Sequence, residues 1–125
     1  MAEENKTSQN ELILIYKTDK NDISIFGSEF VSRCIENCHL IIEGEKVDLQ
    51  SKYTCPKDKE QIEIKLIETE KIDDMSSMFD GCKNLLYYPD LSKFNMSKVT
   101  DISGMFCNCL QIRFLPKINK WDTSK

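Results

Sequence analysis

A mixed α/β, β-rich fold is expected, a short repeat solenoid behind an N-terminal α+β capping domain. Three observations predict it. The stretch "DDMSSMFDGCKNL" (73–85) returns as "TDISGMFCNCLQI" (100–112), with Asp74, Ser76, Met78, Phe79 and Cys82 reappearing as Asp101, Ser103, Met105, Phe106 and Cys109. Residues 11–70 are mostly strand-like, clearest in "QIEIKLIE", where Ile62, Ile64 and Leu66 alternate with polar neighbours. A single stretch between those strands, "GSEFVSRCIENC", carries apolar residues at helical spacing.

The elements follow in order. Residues 1–10, "MAEENKTSQN", are acidic and polar and read as a disordered arm. "ELILIYKT" is an apolar strand, the turn formers Asp19 to Asp22 follow, and "ISIF" is a second strand, so the pair reads as a hairpin. Ser28 is placed to cap a helix whose face carries Phe30, Val31, Cys34, Ile35 and Cys38. "HLIIEGEKVDLQ" reads as strand, Gly-centred turn, strand; "SKYTCPKDKE" is a polar loop with Pro56; "QIEIKLIE" closes the set. Residues 11–70 thus form a ββαβββ-like capping domain.

Residues 71–125 read as two 27-residue units, 72–98 and 99–125, identical at nine positions without a gap. Pro89/Pro116, Lys93/Lys120, Ser97/Ser124 and Lys98/Lys125 are among the identities, and Tyr87/Phe114 and Phe94/Trp121 keep their chemistry. A period of this length marks stacked units, none of which can bury its apolar face alone. Phe79, Cys82 and Leu85 lie three apart, so one helical or 3₁₀ turn points them together with Met75 and Met78. Asp74 or Ser76 is placed to cap that turn. Laid on its twin at strand spacing, ~4.8 Å, each copy becomes the other's core. Cys82 and Cys109 then stand in equivalent places, as small thiols filling a corner or as a disulfide pair. Cys107 has no equivalent in the first unit and reads as more exposed.

The segments "FNMSKVTDISGMFCNCLQI" (94–112) and "WDTSK" (121–125), with "MFxxCxxL" at 78–85 and, ending in Ile, at 105–112, resemble the BspA-like leucine-rich-repeat family. The likeness is closest to its protist and mycoplasma surface-protein branch, and it extends loosely over 11–70. It implies a leucine-rich-repeat-like solenoid, no enzymatic activity, and adhesion or protein binding, often at the cell surface. The usual leucine spacing is not followed. The array stops at a unit boundary, with "WDTSK" set for a further copy, which reads as a truncated array.

Composition excludes several function classes. The 125 residues carry a net charge of −4 and a pI near 5.1, so no global basic field draws nucleic acid or anionic lipid. No apolar run reaches the ~18 residues of a membrane span, and no signal peptide is visible, which reads as cytoplasmic. The six cysteines then read as free thiols. "CIENCH" brings Cys34, Cys38 and His39 together in sequence, with Cys55 further on; a paired second knuckle for zinc is missing. His39 is the single histidine and shows no nucleophile partner. "DKND" lacks the Gly and terminal Glu of a calcium loop, and no Gly-rich phosphate loop exists.

The expectation is therefore a non-enzymatic protein-binding or adhesion module with no catalytic, cofactor or metal residues. A structural spacer from a longer repeat protein and a small zinc-binding protein are the alternatives. The partner is a protein, with self-association expected through the uncapped C-terminal repeat. Recognition is expected to diversify where the copies differ, at Leu86 against Arg113 and Tyr88 against Leu115.

Overall fold

The computed structural model describes residues 10–109 together with 112 and 113; residues 1–9 of the arm expected at 1–10, and the repeat residues 110–111 and 114–125, Leu115 and Trp121 among them, lie outside the described residues, while Asn10 begins a strand and not an arm. In chain order the elements are β1 (Asn10–Lys17), β2 (Ile23–Ser24), α1 (Ser28–Cys34), β3 (Cys38–Ile42), β4 (Glu45–Asp48), β5 (Lys52–Tyr53) and β6 (Gln61–Glu68), with a 3₁₀ turn at Leu91–Lys93.

Alternation decides the main sheet. Leu12, Leu14 and Tyr16 of β1 face inward, as do Ile62, Ile64 and Leu66 of β6. The two strands pair antiparallel over their full lengths, from Asn10 opposite Glu68 to Lys17 opposite Gln61. β3 lies on the other flank of β6 and β4 closes the edge, giving the antiparallel order β1-β6-β3-β4. Between β3 and β4, Glu43 and Gly44 take φ of 54° and 79°. Two left-handed residues in a two-residue loop match the twist of the flanking strands. Buried Tyr16 donates its hydroxyl to the Ile25 carbonyl, so the one polar atom it carries inside is satisfied.

The hairpin expected between β1 and β2 does not form. β1 is taken by β6, which offers eight paired residues, whereas β2 has only two and pairs with β5. The turn formers still turn: the Asn21 amide donates to Asp19 Oδ1 at 3.1 Å, redirecting the chain away from β1. The helix is also shorter than its spacing implied. Its N-cap is Gly27 rather than Ser28; it ends after Cys34, leaving Ile35 exposed and Cys38 in β3.

The solenoid is overturned. The described residues form a small β-rich domain of antiparallel sheets with one short α-helix, not a leucine-rich-repeat-like coil behind an α+β cap. The physical reason lies in how the repeats use their backbone. Among the described residues neither copy builds an extended strand to ladder against its twin; β-bridges between them are the isolated ones at Asp74–Asp101 and Tyr87–Arg113. The chain from Met75 to Leu85 runs as consecutive tight turns instead, through Met78 N–Met75 O, Cys82 N–Phe79 O and Leu85 N–Cys82 O.

What the repeats do is cover the sheet. Met75, Met78, Phe79, Cys82 and Leu85 are all fully buried, in one cluster with the inner residues of β1, β3 and β6. The Leu86 amide donates to Ile15 O and the Lys17 amide to Asn84 O, so the segment 84–86 lies along the free edge of β1. Asn10 clips the same edge further along, accepting from the Asn95 amide at 2.7 Å. Arg33 of α1 reaches the Ser76 carbonyl at 2.6 Å.

The duplicated phrase keeps its duplicated geometry. Asp74 Oδ1 accepts from the Ser76 amide and hydroxyl, and Asp101 repeats this with Ser103. These hydrogen bonds hold both carboxyls below their usual value. The second copy lies against the first through Met75 N–Asp101 O, Ser77 N–Ser103 O, Phe79 N–Met105 O and Gly81 N–Cys107 O. Phe79 stacks on Phe106 at 5.4 Å with the rings 7° from parallel, and on Phe26 at 5.5 Å; Phe26 in turn stacks on Phe30. No helix among the described residues is long and apolar enough to cross a membrane.

Candidate functional site

Where β1 ends, three segments converge. The Thr18 amide donates to Glu60 O at 3.0 Å, tying the loop before β6 to the end of β1. The Asn84 side chain donates to Lys17 O at 2.9 Å, tying on the first repeat. Arg113 is hydrogen-bonded to both neighbours of Tyr87: its amide donates to Leu86 O, and its carbonyl accepts from Tyr88 N, each at 2.9 Å. Between these walls lies a groove of about 620 Å³, lined by Lys17, Lys59, Glu60, Leu86, Tyr87 and Arg113. A second hollow of about 440 Å³ shares Thr18 and Lys59 with it and adds Lys20 and Lys57. Leu86 and Tyr87 are half-buried and share the lining with the exposed cations Lys17, Lys59 and Arg113.

The expected positions of divergence fall unevenly. Leu86 and Arg113 both line the groove. Tyr88 is half-buried against Phe106, edge to face at 5.0 Å, so it packs the repeat; its counterpart Leu115 lies outside the described residues. Lys17, Thr18, Lys59, Glu60 and Gln61 were not singled out by sequence, because only the β1–β6 pairing brings them to the same place.

The residues of the alternative zinc reading separate. Cys38 and His39 are successive residues of β3, so their side chains leave opposite faces of the sheet. Cys38 is buried, donating towards the Cys34 carbonyl at 3.7 Å, whereas His39 is half-exposed, its pKa lowered by burial and by Lys46. Cys55 sits half-buried on the separate hollow beside Pro56. Among the described residues no three His, Cys, Asp or Glu side chains cluster to hold a metal.

All six cysteines are free thiols. Burial pushes Cys38 up to about 12 and raises Cys34, Cys82 and Cys109 as well. Cys109 donates to the Phe79 carbonyl at 3.0 Å, so it joins the copies by a hydrogen bond and not by a covalent bridge. Brief alkylation of the native protein at neutral pH is expected to modify Cys107 first and Cys55 more slowly. Cys34, Cys38, Cys82 and Cys109 are expected to stay unmodified until denaturant is added, as read by peptide mass spectrometry.

The sequence model of the family described as "Mycoplasma protein of unknown function, DUF285" matches residues 48–125, more than half of the chain. The chain belongs to that family. Its DUF285 stretch begins at the last residue of β4 and takes in β5, β6 and both repeats. The groove therefore has Lys59, Glu60, Leu86, Tyr87 and Arg113 inside the DUF285 match and Lys17 and Thr18 outside it. No curated protein and no solved structure matches the chain.

Proposed function

We propose that this DUF285 chain is a non-enzymatic protein-binding module, with the groove at the end of β1 as its receiving surface. One observation carries the reading. Leu86 and Arg113 occupy equivalent positions of the two copies, differ completely in chemistry, and both line the groove, Arg113 bridged to Tyr87. Their backbones are pinned by Leu86 N–Ile15 O and Arg113 N–Leu86 O, so the side chains are free to vary without moving the wall. A fixed frame with interchangeable side chains serves recognition, and affinity then sits in a few anchors such as Tyr87.

The "MFxxCxxL" units support this by resemblance to BspA-like repeats, whose members are alike in adhesion and protein binding. The finer assignment to that lineage rests on these motifs alone.

Peptide-library selection on the immobilised chain tests the reading. Counter-selection uses a Leu86→Glu/Tyr87→Ala variant of unchanged circular dichroism. A peptide consensus that binds the native chain and not the variant is expected. Enrichment that ignores the variant, or none at all, overturns the groove as the binding surface.

A further inference from the structure

Resting on the reading of the groove as a protein-binding surface, we infer that its partner is an acidic peptide segment, seated on Leu86 and Tyr87 and held by the cations around them. The two hollows share Thr18 and Lys59 and so make one trough. Its lining holds Lys17, Lys20, Lys57, Lys59 and Arg113, all exposed, against the carboxylates Glu60 and Asp19. This surplus of positive charge lies on a chain whose net charge is −4. Lys59 is partly engaged, 3.2 Å from Glu43. Among the described residues Lys17, Lys20, Lys57 and Arg113 are in no ion pair.

Five cations against two carboxylates leave a local surplus of positive charge, which an incoming anion relieves. Exposed ion pairs contribute little individually, so charge selects the partner while Leu86 and Tyr87 supply the seat. A peptide fits this division of labour better than a polynucleotide. Among the described residues Tyr87 is the one aromatic ring of the lining, and the chain's net charge of −4 opposes a long polyanion.

The full chain is titrated into three labelled peptides of equal length, each with a central Leu and otherwise glutamate-rich, glutamine-rich or lysine-rich. Fluorescence anisotropy is expected to show the glutamate-rich peptide binding at least about tenfold tighter than the glutamine-rich one, with affinity falling as salt rises. Lys17→Glu/Lys57→Glu/Arg113→Glu is expected to invert the order in favour of the lysine-rich peptide. Should that variant not fold, Lys17→Gln/Lys57→Gln/Arg113→Gln is expected to erase the preference.

Equal binding of the glutamate- and glutamine-rich peptides overturns the acidic partner. So does a single-stranded oligonucleotide of matched charge that binds more tightly than the glutamate-rich peptide. If none of the three peptides binds while the library still yields a groove-dependent consensus, the acidic partner alone falls. A library without such a consensus removes the parent reading.

Discussion

Phe79→Ala is expected to destabilise the protein by about 4 kcal/mol, the largest loss from any single truncation in the core. Phe79 is fully buried and stacks between Phe26, the residue before the α1 cap, and Phe106 of the second copy. Removing its ring opens a void where helix, first repeat and second repeat meet, and none of the three can close it without breaking backbone hydrogen bonds. Phe79 N–Met105 O and Cys82 N–Phe79 O hold its own backbone from both sides. The measurement is equilibrium unfolding in urea. Phe79→Leu, at about 1.5 kcal/mol, keeps the comparison open if the alanine variant is largely unfolded. Phe106→Ala is expected to cost about half as much, because Phe106 is only half-buried. A double-mutant cycle between the two should return a coupling near 1 kcal/mol. A loss below about 1 kcal/mol for Phe79→Ala would mean that the copies do not share a core with the sheet.

Local pattern was readable in the sequence wherever one residue's neighbours decide its state. The alternation of β6 is visible in Ile62, Ile64 and Leu66, and the turn before β4 in Gly44, because both depend on the residues beside them. The 27-residue repeat also carries its backbone geometry openly. Ser77 and Gly104 occupy one equivalent left-handed position, Gly81 and Asn108 the other, and these are residue types that reach positive φ at low cost or cap turns. Long-range partnership was not readable. β1 could pair with β2 or β6 on propensity alone, and the outcome turned on ladder length. The solenoid failed for a related reason: a repeat motif shows that two segments lie together, but not whether extended strands or turns join them. The groove was legible only at Leu86 and Arg113, since its other wall is made by the sheet's register. Cys34, Cys38 and His39 looked like a cluster because sequence distance ignores the alternation of faces along β3.

Gly27→Ala is expected to destabilise by about 3 kcal/mol, and its sign is what makes it informative. Gly27 is the N-cap of α1 at φ −63° and ψ 140°, a conformation open to every residue. By backbone entropy alone, alanine at such a position would stabilise by roughly 0.4–1 kcal/mol. Space decides otherwise. A Cβ built there would stand 2.2 Å from the Ser77 carbonyl oxygen and 3.3 Å from the Asp80 amide, both backbone atoms. Neither can rotate away, for the Gly27 amide itself donates to Met78 O at 2.8 Å and Asp80 N is bonded to Ser77 O. The start of α1 is thus pressed directly onto the first repeat, and relief means moving the turn that carries Phe79. Gly81→Ala is the control with the opposite cause: φ is +77°, yet nothing lies within 4 Å of an added Cβ. Its cost should be the left-handed penalty alone, about 1–2 kcal/mol. Thermal unfolding of the two variants side by side checks the pair. If Gly27→Ala leaves the melting temperature unchanged or raises it, helix and repeat do not touch as closely as the fold requires, and the shared core that positions the groove loses its foundation.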